Sequence, residues 1–202
     1  MRDWSVHPNL SSLISNFEAA MVQPRMTMAE AHTHQTFTAL MRALSYPGRI
    51  FGLPAGGLGA FGAIADALVD LETSYYTNHA ELRSMLARTG GCPLAVELAM
   101  YQFYPRLDQM AARLLADAPV GTYSYPDESA TLVIGCTLSA GRALRLTGPG
   151  IAAVSHLWVD GIPESLWALR EQVCRYPLGW DLLLISDDQV VGLPRTTRIE
   201  VE

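Results

Sequence analysis

The stretch Ala130-Thr131-Leu132-Val133-Ile134-Gly135-Cys136-Thr137-Leu138-Ser139-Ala140-Gly141-Arg142-Ala143-Leu144-Arg145-Leu146-Thr147 decides the fold class. Ala130–Leu138 is rich in apolar and β-branched residues, Ser139–Arg142 has turn chemistry, and Ala143–Thr147 reads as a partner strand. The spacing predicts a β-hairpin. Gly148-Pro149-Gly150 then bends the chain sharply. Downstream, Pro163–Arg175 reads as a helix, with Pro163 at its start and Pro177 beyond its end. Asp181–Ser186 and Gln189–Leu193 read as strands joined at Asp187-Asp188, and Arg198–Val201 as a strand that closes the sheet.

Upstream of this region helices dominate. Thr27–Ser45 carries Phe37, Leu40, Met41 and Leu44 at the spacing of one apolar stripe. Tyr46-Pro47-Gly48 stops it, because proline removes a donor and glycine permits a tight turn. Arg49–Leu53 reads as a short edge strand. Ala60–Leu71 is a helix aligned through Phe61, Ile64, Leu68 and Leu71. Glu72–Tyr76 follows as a strand, and Asn78 caps a helix from His79 to Arg88 that Gly90 ends in a left-handed turn. Leu94–Phe103 fits helix and strand alike, and Arg106–Ala116 suits a helix. Helices early and strands late, with helices between, imply an α/β domain: three layers, α/β/α, around a mixed sheet. The domain is expected over 29–202. Residues 1–28 read as an N-terminal extension with helical character around Leu10–Met21.

The chain has 202 residues, half of them hydrophobic and 17% charged, enough to bury one sizeable core. Its net charge of −6 disfavours a nucleic-acid partner, and no basic stripe offsets it. All 14 basic residues are arginine, with no lysine anywhere. Schiff-base catalysis on an internal lysine is therefore excluded, as is a P-loop lysine. Cys92, Cys136 and Cys174 stand far apart, in neither a metal nor a disulfide pattern. No signal peptide or membrane span is legible, so a soluble, cytoplasmic protein is expected.

No catalytic set stands out. His32 and His34 are two apart on a helix and point to different faces, against the i, i+3 or i, i+4 spacing of helical zinc ligands, so no metal site is expected. Asp66 and Asp70 at i, i+4 read as a solvated face. Asp127 and Glu128, in Ser124–Ser129, read as a solvated turn. No serine stands in a nucleophile motif. Two loops could meet an anion. Gly148-Pro149-Gly150 would let backbone N–H groups approach a ligand closely, although a plain tight turn also accounts for it. Leu193-Pro194-Arg195-Thr196-Thr197 sets a fixed cation and two hydroxyls after a strand. Arg195 suits phosphate or carboxylate recognition equally with pairing to an acidic loop of its own chain.

Several phrases occur together in order. They are Gln35-Thr36-Phe37, Tyr46-Pro47-Gly48, Leu68-Val69-Asp70-Leu71-Glu72-Thr73, Arg88-Thr89-Gly90, Pro126–Thr131, Leu144–Ile151, Tyr176–Leu182 and Leu193–Thr197. Their order and spacing, from about His34 onward, resemble the H subunit of the carbon–phosphorus lyase system, the PhnH family. The resemblance implies a fold like the large domain of pyridoxal-phosphate-dependent transferases without the cofactor site. It implies no cofactor, a homodimer, and partnership with the G, I and J subunits of a core complex. That complex joins a phosphonate to the ribose of ATP, giving a ribose 1-phosphonate 5-triphosphate, and its radical-SAM subunit J then cleaves the C–P bond. This chain would support that chemistry without catalysing it alone. The family's Phe-Arg pair is Phe37-Thr38 here, so an arginine contact is lost or moved. Arg145, Gly148, Gly150, Arg195 and Thr196 are the candidate anion- or partner-binding residues. Two rivals are a stand-alone enzyme acting on a phosphate or phosphonate ester through Arg195 and Gly148–Gly150, and a dimeric scaffold without a ligand.

Overall fold

The computed structural model describes residues 26–202, so the helical character expected around Leu10–Met21 lies outside the described residues. The first helix, α1 (Met28–Ser45), begins on a reciprocal cap. The Glu30 amide donates to Thr27 Oγ1 (3.2 Å), and the Thr27 amide donates back to Glu30 Oε2 (2.7 Å). The helix ends at the expected Tyr46-Pro47-Gly48, where Gly48 takes φ 80°. Its buried face, however, is Thr36, Ala39, Leu40 and Ala43, while Phe37 and Met41 are exposed. Close approach is the cause. A Cβ on Gly192, in the strand beneath, would lie 2.5 Å from the Ala43 carbonyl carbon, so only small side chains fit between helix and sheet.

The remaining elements are β1 (Ile50–Gly52), α2 (Leu58–Leu68), β2 (Ser74–Thr77), α3 (Ala80–Leu86), β3 (Cys92–Pro93), β4 (Tyr101–Tyr104), α4 (Gln109–Leu114), β5 (Thr131–Gly135), β6 (Thr137–Thr147), β7 (Ser155–Asp160), α5 (Glu164–Val173), β8 (Asp181–Ser186), β9 (Gln189–Leu193) and β10 (Arg198–Val201). Seven strands form one mixed sheet in the order β1-β9-β8-β5-β4-β2-β3. Its centre is parallel, and β9 and β1 join antiparallel at one edge. Strand periodicity sends alternate side chains to opposite faces. Phe103, Val133, Leu183, Ile185 and Val190 pack against α1, α2 and α3. Tyr104, Leu132, Ile134, Leu182, Leu184, Val191 and Leu193 pack against α4, α5 and a second sheet.

That second sheet, in the order β10-β6-β7, corrects the expected hairpin. Ala130–Leu138 does not pair with Ala143–Thr147. β5 lies between β4 and β8 in the large sheet, and after Cys136 the chain enters the small one as an 11-residue strand. Ser139–Gly141 loop out as a bulge: both Leu138 and Arg142 pair with Val159, and Ser139 and Gly141 take φ 62° and 77°. The turn chemistry was there, but the partner is β7. β10 likewise closes the small sheet on β6 rather than the large one. Three smaller differences follow from local chemistry. His79 rather than Asn78 caps α3, its Nδ1 accepting from the Leu82 amide (3.3 Å). Leu71, expected on the apolar stripe of α2, lies beyond that helix and is exposed. Leu94–Phe103 resolves into irregular chain leading to β4.

Candidate functional site

The expected features separate cleanly. His32 and His34 are exposed on α1, and among the described residues no group of three or more His, Cys, Asp or Glu side chains stands close enough to hold a metal. Asp66 and Asp70 do not share a helix, since α2 ends at Leu68. Asp70 instead organises the following turn, accepting from the Glu72 amide (3.0 Å). Thr38 lines a groove of about 420 Å³ between α1 and β1 together with His34, Arg42 and Phe51. Among the described residues no helix is long and apolar enough to cross a membrane.

Of the candidate binding residues, Arg195 and Thr196 lie in one turn and Gly148 packs against it. Pro194-Arg195-Thr196-Thr197 is a tight turn between β9 and β10, closed by the Thr197 amide donating to the Pro194 carbonyl (2.8 Å). The antiparallel register Leu182↔Leu193 brings Asp181 beside it. Arg195 takes that carboxylate from three directions: its amide donates to Asp181 Oδ1 (2.7 Å), Nε to Oδ1 (3.3 Å) and Nη2 to Oδ2 (2.6 Å). Its Nη1 donates to the carbonyls of Pro126 and Pro177, tying three loops together. Arg145 stands opposite Glu200 on β6 and β10 and pairs with it at 2.6 Å. Gly148 and Gly150 serve close backbone approach, but to this chain's own segments. A Cβ on Gly148 would lie 2.8 Å from the Thr196 carbonyl oxygen, and one on Gly150 would lie 2.6 Å from that of Ser45.

Beside the turn lies a cavity of about 550 Å³, lined by α5, by Tyr176 and by residues 195–200. Sequence reading passes over its most unusual lining residue, Arg170. On α5 the buried side chains are Leu166, Trp167 and Arg170, so an arginine occupies a core position at i+3 and i+4 from its apolar neighbours. Only 3% of its surface is exposed. Nη1 donates to the Thr197 carbonyl (3.0 Å), and Nη2 to those of Pro194 (2.8 Å) and Leu193 (3.4 Å). Burial pushes its pKa down; Cys174 and Asp181 nearby oppose that shift. Arg170 Nε and Thr197 Oγ1 are buried without a hydrogen-bond partner among the described residues. The one sequence signal for Arg170 was a charge on the apolar face of a predicted helix.

The class defined so far is a mixed α/β domain carrying a buried arginine beside a polar cavity, with no nucleophile–base pair in evidence at it. Comparison with known proteins places it further. The family described as "Bacterial phosphonate metabolism protein (PhnH)" matches residues 25–200. The "Putative C-P lyase subunit protein HtxG" of Stutzerimonas stutzeri is 35% identical over 189 residues, covering 91% of this chain and 94% of that protein. The "Alpha-D-ribose 1-methylphosphonate 5-triphosphate synthase subunit PhnH" of Rhizobium meliloti (strain 1021) is 32% identical over 188 residues, covering 82% and 89%. The chain belongs to the PhnH family.

Proposed function

We propose that this chain is the H-type subunit of a carbon–phosphorus lyase complex in organic phosphonate breakdown. It supports the formation of a ribose 1-phosphonate 5-triphosphate from ATP and a phosphonate without catalysing that step alone. The observation that carries this reading is the span of the likeness: relatives named as complex subunits align over 94% and 89% of their own lengths. The likeness therefore extends over most of each relative rather than over a shared fragment. Its partners in this reading are a second copy of itself and the G, I and J subunits, in the cytoplasm.

One structural feature supports an assembly role. Phe37 and Met41 stand one turn apart on the exposed side of α1, with Tyr46 and Ile50 also exposed just beyond. Apolar groups left in water in this way suit a protein partner. The parallel β2-β4-β5-β8 centre with helices on both faces is a mixed α/β arrangement, which the reading takes to be of the pyridoxal-phosphate transferase type. The absence of lysine is consistent with loss of that cofactor's anchor.

Deleting the gene in its host tests the proposal. Growth on methylphosphonate as the sole phosphorus source should stop, while growth on inorganic phosphate continues. Unimpaired growth on methylphosphonate would contradict it. The isolated chain should not turn over ATP with methylphosphonate; turnover lost in Arg195→Ala would favour the stand-alone enzyme.

A further inference from the structure

We infer that the cavity between α5 and the β9–β10 turn is a binding site for a small tetrahedral oxyanion of the phosphate or phosphonate class, held through Arg170 and Thr197. The argument begins with charge. Five ionisable side chains of fixed sign line the cavity: Arg170, Arg195, Arg198, Glu171 and Glu200. Asp181 already neutralises Arg195, and Arg145 already neutralises Glu200. What is left is Arg170 and Arg198 against Glu171, a surplus of one positive charge. Arg198 and Glu171 are exposed and hydrated. Arg170 is buried, and its three hydrogen bonds go to neutral carbonyls. A buried cation is costly unless a counter-charge reaches it.

Hydrogen bonding leads to the same place. Arg170 Nε and Thr197 Oγ1 lack partners among the described residues, and both residues line the cavity. Buried donors left open mark a position where something else completes the bond. The guanidinium is already oriented by the turn carbonyls, which leaves its Nε–H free to donate. Thr196 adds a second hydroxyl to the lining. Donors from an arginine and from adjacent threonines suit the divergent oxygens of a tetrahedral anion better than the coplanar pair of a carboxylate.

Every residue of the proposed site belongs to this chain, so its test uses the isolated full-length chain. Thermal unfolding would be followed during titration with inorganic phosphate, methylphosphonate, acetate, or sodium chloride at matched ionic strength. Phosphate or methylphosphonate should raise the unfolding midpoint saturably, and whichever binds tighter identifies the source of the group. Acetate and chloride should not. Thr197→Val keeps the side-chain shape and removes a hydroxyl that has no partner among the described residues. It should fold with an unchanged or higher midpoint and bind the anion about tenfold more weakly, the loss of one charge-assisted hydrogen bond. Arg170→Met should abolish the response. The inference is overturned by the absence of a saturable shift in the unaltered protein, by equal effects of acetate, or by a response that Thr197→Val leaves intact. Failure here leaves co-assembly untouched, and failure to co-assemble leaves the anion response untouched.

Discussion

Arg195 and Asp181 are joined by a two-pronged ion pair, Nε to Oδ1 at 3.3 Å and Nη2 to Oδ2 at 2.6 Å, with side-chain exposures of only 16% and 21%. The same arginine reaches the Pro126 and Pro177 carbonyls. It therefore fastens the start of β8 to two loops and to the turn that walls the cavity.

Removing Arg195 strands a largely buried carboxylate and frees two loops. Arg195→Ala should cost about 3 kcal/mol, the lower end for breaking a buried pair. For a domain of this size that lowers the melting temperature by roughly 6–12 °C. Arg145→Ala breaks a pair whose side chains are far more exposed and should cost under about 1 kcal/mol. Calorimetry of the two variants checks the contrast, and equal losses would contradict it.

Gly192 sets how closely α1 sits on the large sheet, because a Cβ there meets the Ala43 carbonyl group and the Leu44 amide. Gly192→Ala should destabilise by about 1–3 kcal/mol, as overpacking does. A Cβ on Gly52, in the edge strand, would meet nothing within 4 Å. Gly52→Ala should stay within about 0.5 kcal/mol of the unaltered protein. Denaturant unfolding of both variants tests this.

How much of this was legible in the sequence depended on how local each signal was. The limits of α1 and α5 and the β8–β9 hairpin came through, since caps, prolines and the Asp187-Asp188 turn act within a few residues. The pairing of Ser139–Arg142 did not. Its turn residues serve a bulge whose partner, Val159, lies across the intervening Gly148–Gly150 bend. Phe37 and Met41 misled because the helix is held to the sheet by Ala39, Ala43 and Gly192, a contact no periodicity reveals. At the candidate site, the turn carrying Arg195 and Thr196 could be read, but Arg170 could not, because its role depends on which carbonyls the fold brings to it.

Burial holds several weak acids protonated. The Cys136 thiol is pushed up to about 12, and the Tyr104 and Tyr101 phenols are raised, all chiefly by loss of solvent. In the unfolded chain these groups begin to ionise near pH 9–10. The folded state then binds more protons than the unfolded one, so stability is full at neutral pH and falls as pH rises past about 9. Melting temperatures should stay level from pH 7 to about 8.5 and decline between about pH 9 and 10.5. Cys92, which is exposed, should react with a thiol reagent at pH 8 well before Cys136. Mass spectrometry of partly labelled protein reads the order directly.

The central claim is membership of a multisubunit complex. Co-expression of this chain with the G, I and J subunits of its host, followed by size-exclusion chromatography, tests it most directly. The account predicts that all four polypeptides leave the column in one peak, in fixed stoichiometry. Elution of this chain alone, apart from an intact complex of the other three, would contradict it.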